Sequence, residues 1–245
     1  MPELKTIRVL VWNENRGEQT SDLIRSVYPK GIHGQVAAAL SAAPDIQTRT
    51  ATLDDPEHGL TEDALSQTDV LFWWGHMWHH LVSDEAVNRV IKHVHNGMGF
   101  VALHSAHASK PFAKLMGTNT GRLRWHEEGL KTRLWKLDYS HPIAEGIGDY
   151  FELPQEETYG EHFDIPTPES LVFVSWFPSG EVFRSGCCWT RSGGRIFFFQ
   201  PGHETFPIYY DENVKKVLVN AARWAARPSR ISYVFDETKS LEKLD

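Results

Sequence analysis

Residues 97–107 read "GMGFVALHSAH". An unbroken apolar run, Phe100 to Leu103, leads directly into the small residues Ser105 and Ala106, the pattern of a buried strand that turns sharply into a helix. In several α/β enzymes this corner carries a nucleophilic serine or cysteine. Here it carries His104. The segment just before it supports the same architecture. Val87, Val90, Ile91 and Val94 recur at helical spacing over 83–96, Ser83 is placed to cap the start, and Gly97 closes the pattern.

Working outward, the first half of the chain alternates between two periods. "TIRVLVWN" (6–13), "IQTRTATL" (46–53) and "DVLFWWG" (69–75) read as strands; "GQVAAALSAA" (34–43) and "TEDALSQ" (61–67, begun by a Thr cap) read as helices. Strands alternating with helices imply right-handed βαβ units and a parallel sheet, with neighbouring strands near 7–12, 47–52, 69–74 and 99–103. The second half is strand-rich: "LKTRLWKLD" (130–138), "ESLVFVSWF" (169–177), "EVFRSGCCWT" (181–190) and "RIFFFQPG" (195–202), with "RSGG" (191–194) as a hairpin connection. A last helix over 212–226 puts Val214, Val217, Leu218, Ala221 and Ala222 on one face. The tail from 228 to 245 has no clear period and is expected to pack loosely or reach another subunit. One domain over 1–245, with its core at about 6–226, is the expected organisation.

Composition narrows the partners. With 41% hydrophobic residues in 245 and no long apolar run, the chain can build an ordinary core and shows no membrane span or signal peptide. A formal charge of −7 without a basic block argues against nucleic acid and anionic membranes. The two cysteines, Cys187 and Cys188, are adjacent, so they point to opposite faces of a strand and suit a reducing cytoplasm better than a disulfide. Nine tryptophans and thirteen histidines are the unusual feature, and they fit either a polar ligand pocket or a large aromatic core.

In a parallel sheet, ligands bind beyond the carboxyl ends of the strands. Four loops qualify: the long segment after the first strand with Trp12 and Glu14, "WWGHMWHH" with His76 and His79, "LHSAHAS" with His104 and His107, and "FFFQPGHETFP" with His203 and Glu204. His76/His79 and His104/His107 each have a three-residue interval that can grip a metal, although loop histidines are more often solvated or bonded to backbone. At a helix N-terminus the dipole favours neutral imidazoles at His104 and His107, suited to act as ligand or base. "EETYGEHF" (156–163) crowds Glu156, Glu157, Glu161 and His162 without basic compensation, which suits a cation, a sugar or simply a solvated acidic loop.

The pieces "VYPKGIHG", "WWGH", "GMGFVALHSAHASKPFAKLMGT", "HPIAEG", "EETYGEHFDIP", "SWFPSGEVFRSG" and "FQPGHETFP" occur in an order, over about 6–226, that resembles the ThuA family of trehalose-utilisation proteins, within the class I glutamine amidotransferase-like superfamily. The resemblance implies an α/β, flavodoxin-like three-layer sandwich with a mainly parallel central sheet. In the superfamily's amidotransferases the elbow holds a cysteine assisted by a histidine and a glutamate near the chain's end. Here His104 stands at the nucleophile position and His203 and Glu204 near the base, so glutaminase activity is not expected. The buried-strand cysteines 187 and 188 and the neighbouring Ser105 cannot take over.

The family's association with trehalose breakdown beside a sugar dehydrogenase implies a carbohydrate lyase or isomerase acting on an oxidised, 3-keto glucoside. A ketone acidifies the neighbouring C–H, and a base then gives an enediolate without any covalent intermediate. On this reading His104, His203 and Glu157 are catalytic, and Trp12, Glu14, His76, Trp125, Tyr159 and Glu204 bind substrate. A divalent metal, zinc first, would be held among His79, His104, His107 and His203; no nucleotide cofactor is expected. A homo-oligomer and cytoplasmic location complete the expectation. A glycoside hydrolase, which needs two carboxyls across a cleft, and a non-catalytic sugar-binding or regulatory protein on a degenerate amidotransferase scaffold are the alternatives.

Overall fold

A computed structural model describes residues 6–227 together with 240 and 242, so the tail considered above falls otherwise outside the described residues. Nine strands are present: β1 Ile7–Asn13, β2 Ile46–Thr52, β3 Val70–Trp74, β4 Gly99–Leu103, β5 Arg124–Lys136, β6 Tyr150–Gly160, β7 Ser170–Trp176, β8 Val182–Arg191 and β9 Gly194–Phe199. They form one sheet in the order β2-β1-β3-β4-β9-β8-β7-β5-β6. From β2 to β9 the pairing is parallel, as the first-half periodicity predicts, and from β9 to β6 it is antiparallel. The fold is therefore mixed α/β with a parallel core, and the simple three-layer sandwich holds only for the parallel half.

There, β3 and β4 are buried at every residue. That requires cover on both faces, which explains their continuous apolar sequences. One face packs on α3 (Gly31–Ser41) and α7 (Glu212–Ala225), through Val36, Leu40, Val214 and Leu218. The other packs on α5 (Asp84–His95) and α6 (Lys110–Met116), through Val87, Val90, Phe112 and Leu115. The expected caps form: Ser83 Oγ accepts from Ala86 N–H, and Thr61 Oγ1 accepts from Ala64 N–H at the start of α4 (Glu62–Ser66). The 191–194 hairpin pairs Arg191 with Gly194. Cys187 and Cys188 are free and buried.

Two expectations are corrected. The segment after β1 is not a long loop, because α1 (Gly17–Thr20) and α2 (Asp22–Val27) occupy it and α3 begins at Gly31, three residues before the expected start. Residues 150–160, expected in part as an acidic loop, are strand β6. There Glu156 and Glu157 are buried, and Glu161 just beyond is compensated by Arg184 at 2.8 Å. Glu156 takes backbone N–H groups where a solvated side chain would take water, so the acidic composition was misleading.

Candidate active site

Register places the first part of the site. Asn13 pairs with Trp74, Trp74 with Leu103, and Leu103 with Phe199, so β1, β3, β4 and β9 end level. The next residues, Glu14, Gly75, His104 and Gln200, emerge together at one edge. His104 takes φ +53°, the left-handed conformation, which turns the chain from strand into the 3-10 turn His104–Ala108. The second part arrives from the antiparallel half. The β5–β6 hairpin folds over this edge, and Gln200 Nε2 donates to the Glu157 carbonyl at 3.2 Å. The Glu156 carboxylate accepts N–H groups from Gly202 (2.8 Å), His203 (3.2 Å) and Glu157 (2.8 Å). Gly202 sits at φ +147°, where a Cβ would collide with the Tyr209 hydroxyl, so the turn that presents His203 needs glycine.

His104, His203 and Glu157 thus converge. His104 Nδ1–H donates to the Gln200 carbonyl at 3.0 Å, which leaves Nε2 facing Glu157 Oε2 at 3.0 Å. The two form a buried ion pair, in which neither atom makes a well-aligned hydrogen bond. Nε2 of His203 likewise makes none, while its Nδ1 meets Thr205 Oγ1 at 2.8 Å. His76 completes the set: its Nδ1 lies 2.7 Å from Glu204 Oε1, and its ring centroid is 6.2 Å from His104 and 5.7 Å from His203.

Electrostatics divide these rings. Burial pushes the His104 pKa down, but Glu157, and behind it Glu156 and Glu204, raise it to a net position above the ordinary range. The neutral imidazole expected from the helix dipole is overruled, since a five-residue 3-10 turn has little dipole and three carboxylates surround the ring. His203 is held low, by burial first and by His104 second. Burial also opposes charge on His76 and Glu204, yet their mutual contact raises the pKa of the one and lowers that of the other. Burial lifts Glu156 to about 7, against the opposing influence of His104 and the three N–H groups.

A cleft of about 340 Å³ opens beside the cluster, lined by His76, Ser105, His107, Trp125, Glu127, Glu157 and Tyr159 among others. Tyr159 stacks on His104 (5.4 Å between centroids, 20° between planes), and its hydroxyl meets Ser105 Oγ at 3.0 Å. Trp125, 61% exposed, forms the outer wall. His104 and His203 stand behind this wall, and Glu157 is their link to the cleft.

Other expected site residues lie elsewhere. Trp12 is in the core, stacked on Trp73 at 4.0 Å, with its indole N–H donated to the His58 carbonyl. Glu14 is buried and accepts the N–H groups of Met77 and Trp78, so it fixes the loop of His76 instead of meeting substrate. Glu204 acts through His76. Of the expected metal set, His79 and His107 join no ligand cluster among the described residues. Burial, then His76, draws the pKa of His79 down to about 4, and burial takes His107 to about 3 while its Nδ1 donates to the Thr120 carbonyl. The candidate clusters are His104–Glu157–His203 and His76–Glu127–His203, each with ligand atoms within 4.8 Å of one another. Glu127 was not expected. The "RWHEEG" stretch (124–129), with Trp, His and two Glu side by side, is the signal that could have found it.

The sequence matches the family model described as trehalose utilisation over residues 8–225. The chain belongs to the ThuA family. Solved structures agree on the fold. A ThuA-like protein from Parabacteroides merdae superposes with TM-score 0.67 at 16% identity, covering 94% of this chain and 93% of that one. A ThuA-like protein from Bacteroides uniformis gives 0.64 at 15% identity, with 91% and 93% covered. A cytoplasmic protein from Salmonella typhimurium gives 0.60 at 10%, with 90% and 100% covered. At these identities the likeness concerns the flavodoxin-like fold alone. No curated protein matches the sequence. Among the described residues no helix is long and apolar enough to cross a membrane, and the elbow of this ThuA chain carries His104 where a nucleophile could stand.

Proposed function

We propose that this ThuA protein serves sugar utilisation by moving a proton on an oxidised, 3-keto glucoside, with isomerisation or elimination of the glycosidic oxygen as the outcome. The observation that carries this reading is the convergence of His104, His203 and Glu157 behind a cleft of sugar-compatible size whose walls are Tyr159 and Trp125. No serine or cysteine occupies the elbow, so the cluster is equipped for acid–base work and not for a covalent intermediate. Glu157 and Glu127 are the carboxylates that reach the cleft, and one of them takes the acidified proton beside the ketone. His76, whose pKa the Glu204 carboxylate raises against the effect of burial, lines the same cleft and is placed to donate to the oxygen on which charge develops.

Deuterium wash-in tests this directly. Incubated in D2O with 3-keto-trehalose, the protein is expected to place deuterium on the carbon next to the ketone, read by NMR, and to leave trehalose untouched. Hydrolysis of unoxidised trehalose would favour a glycoside hydrolase. Binding of either sugar with neither exchange nor turnover would leave a sugar-binding protein.

A further inference from the structure

Three imidazoles at the site share one arrangement. Each has its Nδ1 engaged: His104 by the Gln200 carbonyl, His76 by the Glu204 carboxylate, and His203 by Thr205, whose Oγ1 lies at 2.8 Å and whose backbone N–H donates to it at 3.3 Å. Such contacts hold the ring orientations, as the outer partners of metal-bound histidines do, and leave the Nε2 atoms of His104 and His203 buried. The inward atoms of His104, His203 and Glu157 are all buried and none makes a well-aligned hydrogen bond, with His104 Nε2 and Glu157 Oε2 facing each other at 3.0 Å. Buried polar atoms are seldom left so. Three of them meeting within 4.8 Å indicate a missing common partner. The rings of His104 and His203 stand 5.4 Å apart with planes at 90°. Two imidazoles bound tetrahedrally at about 2.0–2.1 Å from one ion set their centroids about 5 Å apart.

We propose that the His104 and His203 Nε2 atoms and the Glu157 carboxylate bind one divalent first-row transition metal, with an open coordination position towards the cleft. Two imidazoles and a carboxylate suit zinc, manganese, iron or cobalt and are poor for magnesium or calcium. His76 and Glu127 flank the open side, since both approach His203. The metal inference does not rest on the reaction proposed above. It does refine that reaction: with Glu157 engaged as a ligand, Glu127 is the carboxylate left free to take the proton, and the ion polarises the ketone.

The test uses full-length protein stripped with chelator and titrated with Zn2+ by calorimetry, and with Co2+ by visible absorption, in the absence of sugar. One equivalent per chain is expected, with cobalt bands of a low-coordinate nitrogen–oxygen site. Glu157→Gln and His203→Asn should each weaken binding about a hundredfold or more, and His80→Ala, an exposed histidine four residues from His76, should leave it unchanged. Thermal melts without metal confirm that the variants fold, and on loading only the native and His80→Ala chains should gain in melting temperature. Absence of a stoichiometric site in the stripped protein overturns the proposal, as does binding that survives both cluster substitutions. Because no sugar is present, failure here leaves the wash-in result to be judged by itself.

Discussion

In the parallel half of the sheet, β1, β3, β4 and β9 end level, and whatever follows them is delivered to one edge by register alone. In the antiparallel half nothing is delivered that way. Glu157 and Tyr159 reach the site only because the β5–β6 hairpin folds over the edge, pinned by Gln200 and by the Gly202 and His203 backbone N–H groups on Glu156. The parallel half supplies the imidazoles and Glu204, and the hairpin supplies Glu127, Glu156, Glu157 and the aromatic walls. The site therefore exists only when both halves are docked, and Glu156 is a clamp between them. A residue's contribution should depend on whether it performs chemistry at that junction or packing within one half.

The sharpest break of this comparison is Glu157→Gln, which keeps size and removes the charge. We expect keto-sugar proton exchange to fall by about 10²- to 10⁴-fold while the circular dichroism spectrum remains native. Activity within threefold of the native protein would remove Glu157 from the chemistry and leave it a packing residue. Glu127→Gln sharpens the result, because it should lose exchange to a similar degree yet retain bound metal.

Trp12→Ala should do the opposite. Its ring is sandwiched in the parallel half against Trp73 and donates to the His58 carbonyl, so its loss is expected to cost about 3–5 kcal/mol in denaturant unfolding, with activity per folded molecule preserved. A stable variant with a raised KM would return Trp12 to the sugar. From sequence the two roles could not be separated. A tryptophan near a strand's carboxyl end fits a core and a cleft equally well, and the stacking on Trp73 comes from a strand pairing that lies outside the local sequence.

What was legible follows the same division. The β4 elbow, the Ser83 and Thr61 caps and the 191–194 hairpin are local, so spacing and turn chemistry reveal them. The strand at 150–160 was hidden because Glu156 and Glu157 are polar yet buried, Glu156 satisfied by N–H groups nearly fifty residues away and Glu157 facing His104. Glu127 was hidden for a related reason. The pairing of β5 with β6 shifts register between His126 and Leu130, and no alternation survives there to show which side chains face the cleft. The position of His104 at the elbow was legible and its charge was not, since Glu157 and Glu156 come from the other half.

The histidines outside the cluster give a pH test. His107 is buried with its Nδ1 on the Thr120 carbonyl, and its pKa lies near 3 in the fold against 6.5 ordinarily. As pH falls below 6.5 the unfolded chain binds a proton at this ring and the folded chain does not. Stability present above 6.5 is therefore lost progressively towards 3, by a few kcal/mol in order of magnitude. His107→Gln keeps a donor for Thr120 and has no proton to gain. Urea midpoints measured between pH 7 and 4 should fall less steeply for this variant, and equal slopes would show that the ring titrates normally.

The smallest effect on the fold should come from Trp125→Ala, the counterpart of the Trp12 substitution. At 61% exposure its ring covers little of the core, so stability should change by less than about 0.5 kcal/mol. Its place in the cleft lining with His76 and Ser105 gives it a role only when a sugar ring is present to cover its face. Removing that contact should raise KM by roughly tenfold, equivalent to 1.4 kcal/mol, and leave kcat nearly unchanged, because the face of a pyranose is held equally in ground and transition states. A fall in kcat at constant KM would instead mean that Trp125 orients the reacting carbon, and the hairpin would then belong to the chemistry as fully as the elbow does.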